Sequence, residues 1–156
     1  MPAVLSLGSN LGDRRAHLRA GIDIIAMHVP IVHVSPLYET TPVGVSGQDD
    51  YLNCVVVVDT SDAETALAAA HAAERTRGRL RSRRWGPRTL DVDVIDVDGQ
   101  VRDDPRLTLP HPRAHERAFV LRPWLDLDRN AFVAGRGPVA ALLRRLSADE
   151  VRRVAW

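Results

Sequence analysis

Arg84-Trp85-Gly86-Pro87-Arg88-Thr89-Leu90-Asp91-Val92-Asp93-Val94-Ile95 is the stretch from which both the sheet and the chemistry of this chain can be read. If residues 90–95 form a strand, side chains alternate between faces, so Leu90, Val92 and Val94 share one face and Asp91, Asp93 and Ile95 the other. The apolar face belongs to a core, and the two carboxylates point the same way. At ~3.3 Å per residue their Cα atoms lie roughly 7 Å apart, a gap that two carboxylates can close around magnesium ions held ~3.5 to 4 Å from each other. The arginines just upstream offer planar donors to phosphate oxygens, while oxygen-ligated magnesium neutralises the remaining charge. A nucleoside triphosphate is the natural ligand. Two aspartates spaced two apart would also suit an ordinary exposed strand face; the adjoining Arg-Trp-Gly-Pro-Arg argues for the site.

The 156 residues are 45% hydrophobic, enough for one domain, 1–156, to bury a substantial core without disulfides or structural metal. No apolar run approaches the ~20 residues of a membrane span, and residues 1–5 lack the basic start of a secretory signal, so a cytoplasmic enzyme with no membrane partner is expected. The single cysteine, Cys54, leaves no internal disulfide and no Cys-pair zinc site; within an apolar run it reads as a core residue. A net charge of +1 gives no general pull toward nucleic acid. The positive charge is local: Arg75, Arg77, Arg79, Arg81, Arg83, Arg84 and Arg88 fall within fourteen residues. All 21 basic residues are arginine, which excludes a P-loop kinase, a Schiff-base enzyme and a lysine general base.

Residues 3–7 read as a strand, and the Gly8 to Asp13 stretch as a tight turn into a helix striped by Leu18, Ile22 and Ile25. Residues 31–38 alternate as a second strand; a long turn-rich loop over 39–50 precedes a third strand over 51–59. Ser61 and Glu64 have capping-box spacing before an alanine-rich helix that Gly78 should stop. After the 91–97 strand, Asp98-Gly99 signals a hairpin with a return strand around 100–102. The prolines at 110 and 112 exclude helix there, 113–121 suits a turn or short helix, and 138–146 is a last amphipathic helix with Val139, Leu142, Leu143 and Leu146 inward. The order is α+β: a ferredoxin-like βαββαβ core, its antiparallel sheet carrying helices on one face, plus a C-terminal hairpin and helix. The open face and loops are then left to carry the site.

Four separated segments resemble the 6-hydroxymethyl-7,8-dihydropterin pyrophosphokinase family of folate biosynthesis. They are Leu7-Gly8-Ser9-Asn10-Leu11-Gly12-Asp13-Arg14, the segment from Ser35-Pro36-Leu37-Tyr38 through Gly44 with Asp50-Tyr51-Leu52-Asn53, the Arg84 to Asp93 stretch, and Leu109-Pro110-His111-Pro112-Arg113 with Arg117-Ala118-Phe119. The resemblance implies transfer of pyrophosphate from ATP to the hydroxymethyl group of a dihydropterin, releasing AMP, with two Mg²⁺ and a mobile arginine-bearing loop. It implies that Asp91 and Asp93 ligate metal, that Arg79 and Arg88 are catalytic, and that Glu74, Arg81, Trp85, Arg88, Arg106, Thr108, His111 and Arg117 surround the nucleotide. It also implies that Tyr51 and Phe119 sandwich the pterin, with Thr40, Val43, Asn53 and Trp85 lining its slot. A flat heteroaromatic wants aromatic faces above and below and an amide at its edge, and Asn53 shares a strand face with Tyr51.

Residues 78–87 hold four arginines and few apolar anchors, so this loop is expected to be mobile when empty and to close as a lid over bound ATP, with Trp85 packing across it. Whether Asp93 also accepts the substrate proton is left open by the sequence. Two other classes share the element order. An RNA-binding module would want aromatic residues on its central strands, and residues 4–7 and 55–58 offer none. A regulatory small-molecule domain would not need paired aspartates. A monomer acting on two small molecules, with no nucleic acid, is expected.

Overall fold

The computed structural model describes residues 2–41, 50–76, 89–147 and 151–156. In chain order its elements are β1 (Pro2–Ser9), α1 (Arg14–His28), β2 (Ile31–Val34), β3 (Leu37–Thr40), β4 (Tyr51–Asp59), α2 (Ala63–Thr76), β5 (Asp91–Val97), α3 (Ala118–Leu127), β6 (Phe132–Val133), β7 (Gly137–Pro138), α4 (Val139–Arg144) and β8 (Val151–Val154). The main sheet runs β5-β1-β4-β3-β8, with β2 also pairing β4, and its paired strands are antiparallel. This is the ferredoxin-like arrangement, extended by β8 at one edge.

The alternation expected around Asp91 is present. Leu90, Val92 and Val94 are buried with Leu5, Leu7, Leu52 and Val56 against α1 and α2, whereas Ile95 joins a separate cluster on the opposite face. Asp13 starts α1 by accepting the Ala16 N–H at 3.1 Å, and Leu18 and Ile25 face the sheet fully buried. Each such leucine or isoleucine stabilises the fold by roughly 1.5–3 kcal/mol through the area it removes from water. Small side chains let α2 lie close: Ala66, Ala69, Ala70 and Ala73 are all buried.

The second face is half covered. Val4, Val55, Val57 and Ile95 pack against Val120, Leu121 and Trp124 of α3 and Val139 and Leu142 of α4, with Leu143 and Leu146 beside them. This leaves the other end of that face, where the strands bring Asp91, Gly8 and Asn53 side by side, for a site.

Local readings differ from the structure in four places. Residues 31–38 form two strands, because Pro36 has no N–H to give; Ser35 fills the break, its N–H donating to Val55 C=O at 2.9 Å and its Oγ accepting from Val55 N–H at 2.9 Å. The cap of α2 is Asp62, whose Oδ2 accepts from Thr65 Oγ at 2.6 Å, and Glu64 turns instead to Arg102 and Arg106. Asp98 and Gly99 do turn the chain with positive φ, but no return strand lines β5: Arg102 pairs with Leu109, and the His111 N–H takes the Ile95 C=O at 2.9 Å. The turn or short helix expected over 113–121 is present as a 3-10 turn, Ala114–Glu116, but a further helix follows from Ala118 through Pro123 to Leu127. No helix among the described residues is long and apolar enough to cross a membrane.

Candidate active site

Cross-strand partners share a face, so the register assembles the site in rows. Asp91 pairs with Gly8, Gly8 with Asn53, and Asn53 with Tyr38; in the next row Asp93 pairs with Ser6, and Ser6 with Val55. With strands ~4.8 Å apart, Asp91 and Asn53 sit roughly 10 Å from each other across the glycine. Position 8 must be small: an ideal Cβ there would stand 2.8 Å from Asn53 Oδ1 and 3.5 Å from Tyr51 Cδ1. Gly8 therefore belongs to the site and lies inside β1, not in the turn after it. Sequence reasoning missed it by treating the glycines at 8 and 12 as one turn; a glycine within an otherwise apolar strand was the available signal.

On the Asn53 side, Nδ2 donates to Thr40 Oγ1 at 3.0 Å, and both residues are buried. Tyr51, half-buried, pairs in register with Thr40. On the aspartate side, Asp91 and Asp93 are both partly exposed, and Arg117 Nη1 lies 3.6 Å from Asp93 Oδ2. The same guanidinium carbon stands 5.6 Å from the ring centroid of Phe119, within cation–π range. Phe119 is half-buried in the first turn of α3 and packs on the second cluster. Arg117 thus joins the carboxylate end of the site to the aromatic end.

His111 adjoins Asp93. Burial pushes its imidazole below the ordinary value, the Asp93 carboxylate pulls it back up, and Arg117 and Arg113 add to the depression. Its Nδ1 accepts the Arg113 N–H at 3.2 Å, which fixes the ring's orientation. Glu74 is buried at the end of α2, and its Oε2 accepts the Val92 N–H at 3.1 Å, bracing the strand between the two aspartates. Thr108 Oγ1 donates to Asp104 C=O at 3.2 Å, and Arg106 pairs with Glu64 at 2.6 Å on the first turn of α2, so no contact described brings Arg106 to the aspartates. Val43, Arg79, Arg81, Trp85 and Arg88, and the lid expected over 78–87, lie outside the described residues.

Among the described residues no cluster of three or more His, Cys, Asp or Glu could hold a metal, so the strand offers a pair of carboxylates, Asp91 and Asp93. A pair suits magnesium, which keeps several waters and takes its other oxygens from substrate phosphate. It would not suit a closed structural zinc site.

The family model for 7,8-dihydro-6-hydroxymethylpterin-pyrophosphokinase matches residues 4–129. Among curated relatives, the 2-amino-4-hydroxy-6-hydroxymethyldihydropteridine pyrophosphokinase of Mycobacterium leprae is 48% identical over 162 residues, covering 94% of this chain and 84% of its own. The Mycobacterium bovis enzyme of the same name is 43% identical over 167 residues, covering 96% and 87%; that of Bacillus subtilis is 39% identical over 128 residues, covering 80% and 77%. The chain also resembles a solved HPPK-DHPS in complex with substrates, with a TM-score of 0.71 at 10% identity over 97% of this chain and 46% of that one. Wild-type Plasmodium falciparum HPPK-DHPS gives 0.66 at 13% identity, over 92% of this chain and 43% of that one. This chain spans less than half of those solved chains, and at such identity they speak to the fold alone.

Proposed function

The chain belongs to the 7,8-dihydro-6-hydroxymethylpterin-pyrophosphokinase family, enzymes that transfer pyrophosphate from ATP to hydroxymethyldihydropterin in folate biosynthesis, and from that premise we propose how its residues divide the work. The observation that carries the division is Arg117, 3.6 Å from Asp93 and 5.6 Å from the Phe119 ring centre, because it makes the phosphate end and the pterin end of the site adjacent.

Asp91 and Asp93 are the residues that would hold the two Mg²⁺ that the family resemblance implies. The bound metal supplies charge neutralisation and lowers the cost of ionising the attacking alcohol. The pterin lies between Tyr51 and Phe119 with its edge read by Asn53, which Thr40 holds at 3.0 Å. Its hydroxyl oxygen forms a bond to the β-phosphorus of ATP as the bond from that phosphorus to the α–β bridging oxygen breaks, and AMP leaves with that oxygen. Arg117, beside Asp93, meets negative charge on the transferring group; Arg79 and Arg88 are assigned the same task by the family resemblance. The family resemblance assigns Glu74, Arg81, Trp85, Arg88, Arg106, Thr108, His111 and Arg117 to the nucleotide, Arg106 only once it leaves its pair with Glu64, and Val43 and Trp85 to the pterin slot. Positioning and charge neutralisation suffice, and no protein nucleophile is required. On the same reading the protein is one domain over 1–156 and a monomer in the cytoplasm, with neither nucleic acid nor membrane as partner; the family's named substrate, a small pterin, supports small-molecule partners.

The test is to mix the protein with Mg²⁺, ATP and 6-hydroxymethyl-7,8-dihydropterin and identify the nucleotide product. AMP is expected, and ADP would point to an ordinary kinase. Asp91→Asn and Asp93→Asn should each keep the fold and lower turnover by at least ~10³, since each removes a charged ligand. Wild-type turnover in Asp93→Asn at saturating Mg²⁺ would sink the metal assignment.

A further inference from the structure

Glu39 and Asp50 flank the segment that joins β3 to β4, and two arginines from distant parts of the chain hold both. Arg14, at the start of α1, donates through Nη1 to Glu39 Oε2 at 3.1 Å and to the Asp50 C=O at 2.6 Å. Arg152, on β8, donates through Nη2 to Glu39 Oε1 and lies 3.5 Å from Asp50 Oδ2. Each oxygen of Glu39 is thus taken by a different arginine, and each arginine reaches across to Asp50.

The register shows what this cluster backs. Glu39 pairs with Leu52 and Arg152, while Thr40 pairs with Tyr51 and Val151. Alternation places the Glu39 side chain on the face opposite Thr40, so the charges lie directly behind the corner where Thr40, Tyr51 and Asn53 meet. Isolated surface ion pairs contribute little because water screens them and both side chains must be ordered. Here the carboxylate is shared, one arginine also fixes a backbone carbonyl, and three of the four side chains are well shielded, with exposures of 24% for Arg14, 20% for Glu39 and 33% for Asp50. The Arg152 hydrogen bond holds the Glu39 carboxyl below its usual range, against the opposing effect of burial and with help from Arg14.

We propose that Arg14 and Arg152 are positioning residues for the pterin, acting through Glu39 and Asp50 to fix the spacing of β3 and β4 where Thr40, Tyr51 and Asn53 line its slot. The inference rests on the pterin assignment made above. Without the clamp the end of the β3–β4 ladder frays, the slot spends less time in its competent form, and apparent pterin affinity falls by that fraction. The aspartates sit on β5, two strands away, so ATP binding is left alone.

Arg152→Gln and the double variant Arg14→Gln with Arg152→Gln test this in the full chain, with Arg152→Lys as the conservative control. The double variant should raise the pterin KM about fivefold or more, with kcat and the ATP KM within about twofold, and Arg152→Lys should recover most of the loss. Amide hydrogen exchange over residues 37–40 and 51–53, which needs no substrate, should speed up in parallel. Pterin and ATP KM rising together would make the arginines general structural residues and overturn the role. Unchanged exchange with normal AMP formation would overturn the clamp alone, whereas a wild-type protein that forms no AMP would overturn the pterin assignment and this role with it.

Discussion

Gly8→Ala adds one methyl group where β1 pairs with Asn53 of β4 beside the candidate site. That carbon would stand 2.8 Å from Asn53 Oδ1, inside any ordinary contact. Asn53 cannot swing away freely, being 2% exposed with its Nδ2 bonded to Thr40 Oγ1 at 3.0 Å. The backbone is no obstacle, since φ at Gly8 is not positive, and alanine even gains ~0.4–1 kcal/mol by restricting the unfolded chain. Against that stand ~1–3 kcal/mol for overpacking and ~1–3 kcal/mol for a buried amide pulled off its partner. The balance is a loss of roughly 2 kcal/mol or more, which in a domain of this size lowers Tm by about 4–8 °C. Pterin affinity should fall with it if Asn53 reads the pterin edge as proposed. Differential scanning calorimetry and pterin titration on Gly8→Ala, Asn53→Ala and the double variant check this. Once Asn53 is truncated the clash is gone, so adding Gly8→Ala should cost no more than ~0.5 kcal/mol. Fully additive losses, or a Gly8→Ala protein with wild-type Tm and affinity, would refute the packing argument.

Phe119→Ala should weaken pterin binding by about 10-fold or more while changing ATP binding far less, because it removes an aromatic wall of the slot and ~1–3 kcal/mol of packing. Equal losses in the two titrations would place Phe119 in the general core. Asp96 lies opposite Val4 where the β1–β5 register shifts; its Oδ2 accepts from the Gly99 N–H at 3.3 Å, and its buried Oδ1 finds no partner among the described residues. Burial pushes its carboxyl above the ordinary value, with the Gly99 bond opposing and Asp98 adding to the rise. A raised folded pKa means that the group's contribution is fully present below its unfolded pKa and is lost as pH rises through the folded one. Asp96→Asn should therefore raise Tm at neutral pH, and the gain should fade as pH falls into the ordinary carboxylate range; a gain constant with pH would refute the assignment. Burial pushes the Cys54 thiol up to about 12, so it should resist thiol reagents in the native protein and react on unfolding. Fast native labelling would show that β4 opens.

Much of the fold was legible because the long elements carry one clear period. From Leu90 to Val94 the apolar and acidic residues alternate, and the burial of Val92 and Val94 opposite half-exposed Asp91 and Asp93 follows from that alternation. The α1 stripe of Leu18 and Ile25 was equally plain. Where two local signals competed, tertiary context chose between them. Ser61 and Glu64 have capping-box spacing, but Asp62 with Thr65 caps the helix while two arginines from residues 102–106 draw Glu64 outward. The short helix expected over 113–121 is followed by a longer one, because burial of Leu121 and Trp124 carries α3 on through Pro123. The strand Val-Arg-Arg-Val of β8 went unread because two arginines mask its period in so short a segment. The site aspartates announced themselves by type and spacing. Gly8 and the Arg14–Glu39–Asp50–Arg152 cluster did not, because a glycine has no side chain to read and an ion-pair network exists only once distant segments meet.

The late arrival of β8 also sets a schedule for synthesis. Its Arg152 reaches Glu39 across 113 positions, and Trp156 Nε1 closes on the Ser35 C=O at 3.0 Å across 121. At ~5–20 residues per second a ribosome needs roughly 6 to 25 s to supply that stretch, and throughout it the outer edge of β3 has no partner strand. A nascent chain in this state displays an unpaired edge, the template that other chains pair with when they aggregate. The crowding of polysomes would favour such encounters, so the interval before β8 docks is when a chaperone holding the emerging chain would matter most.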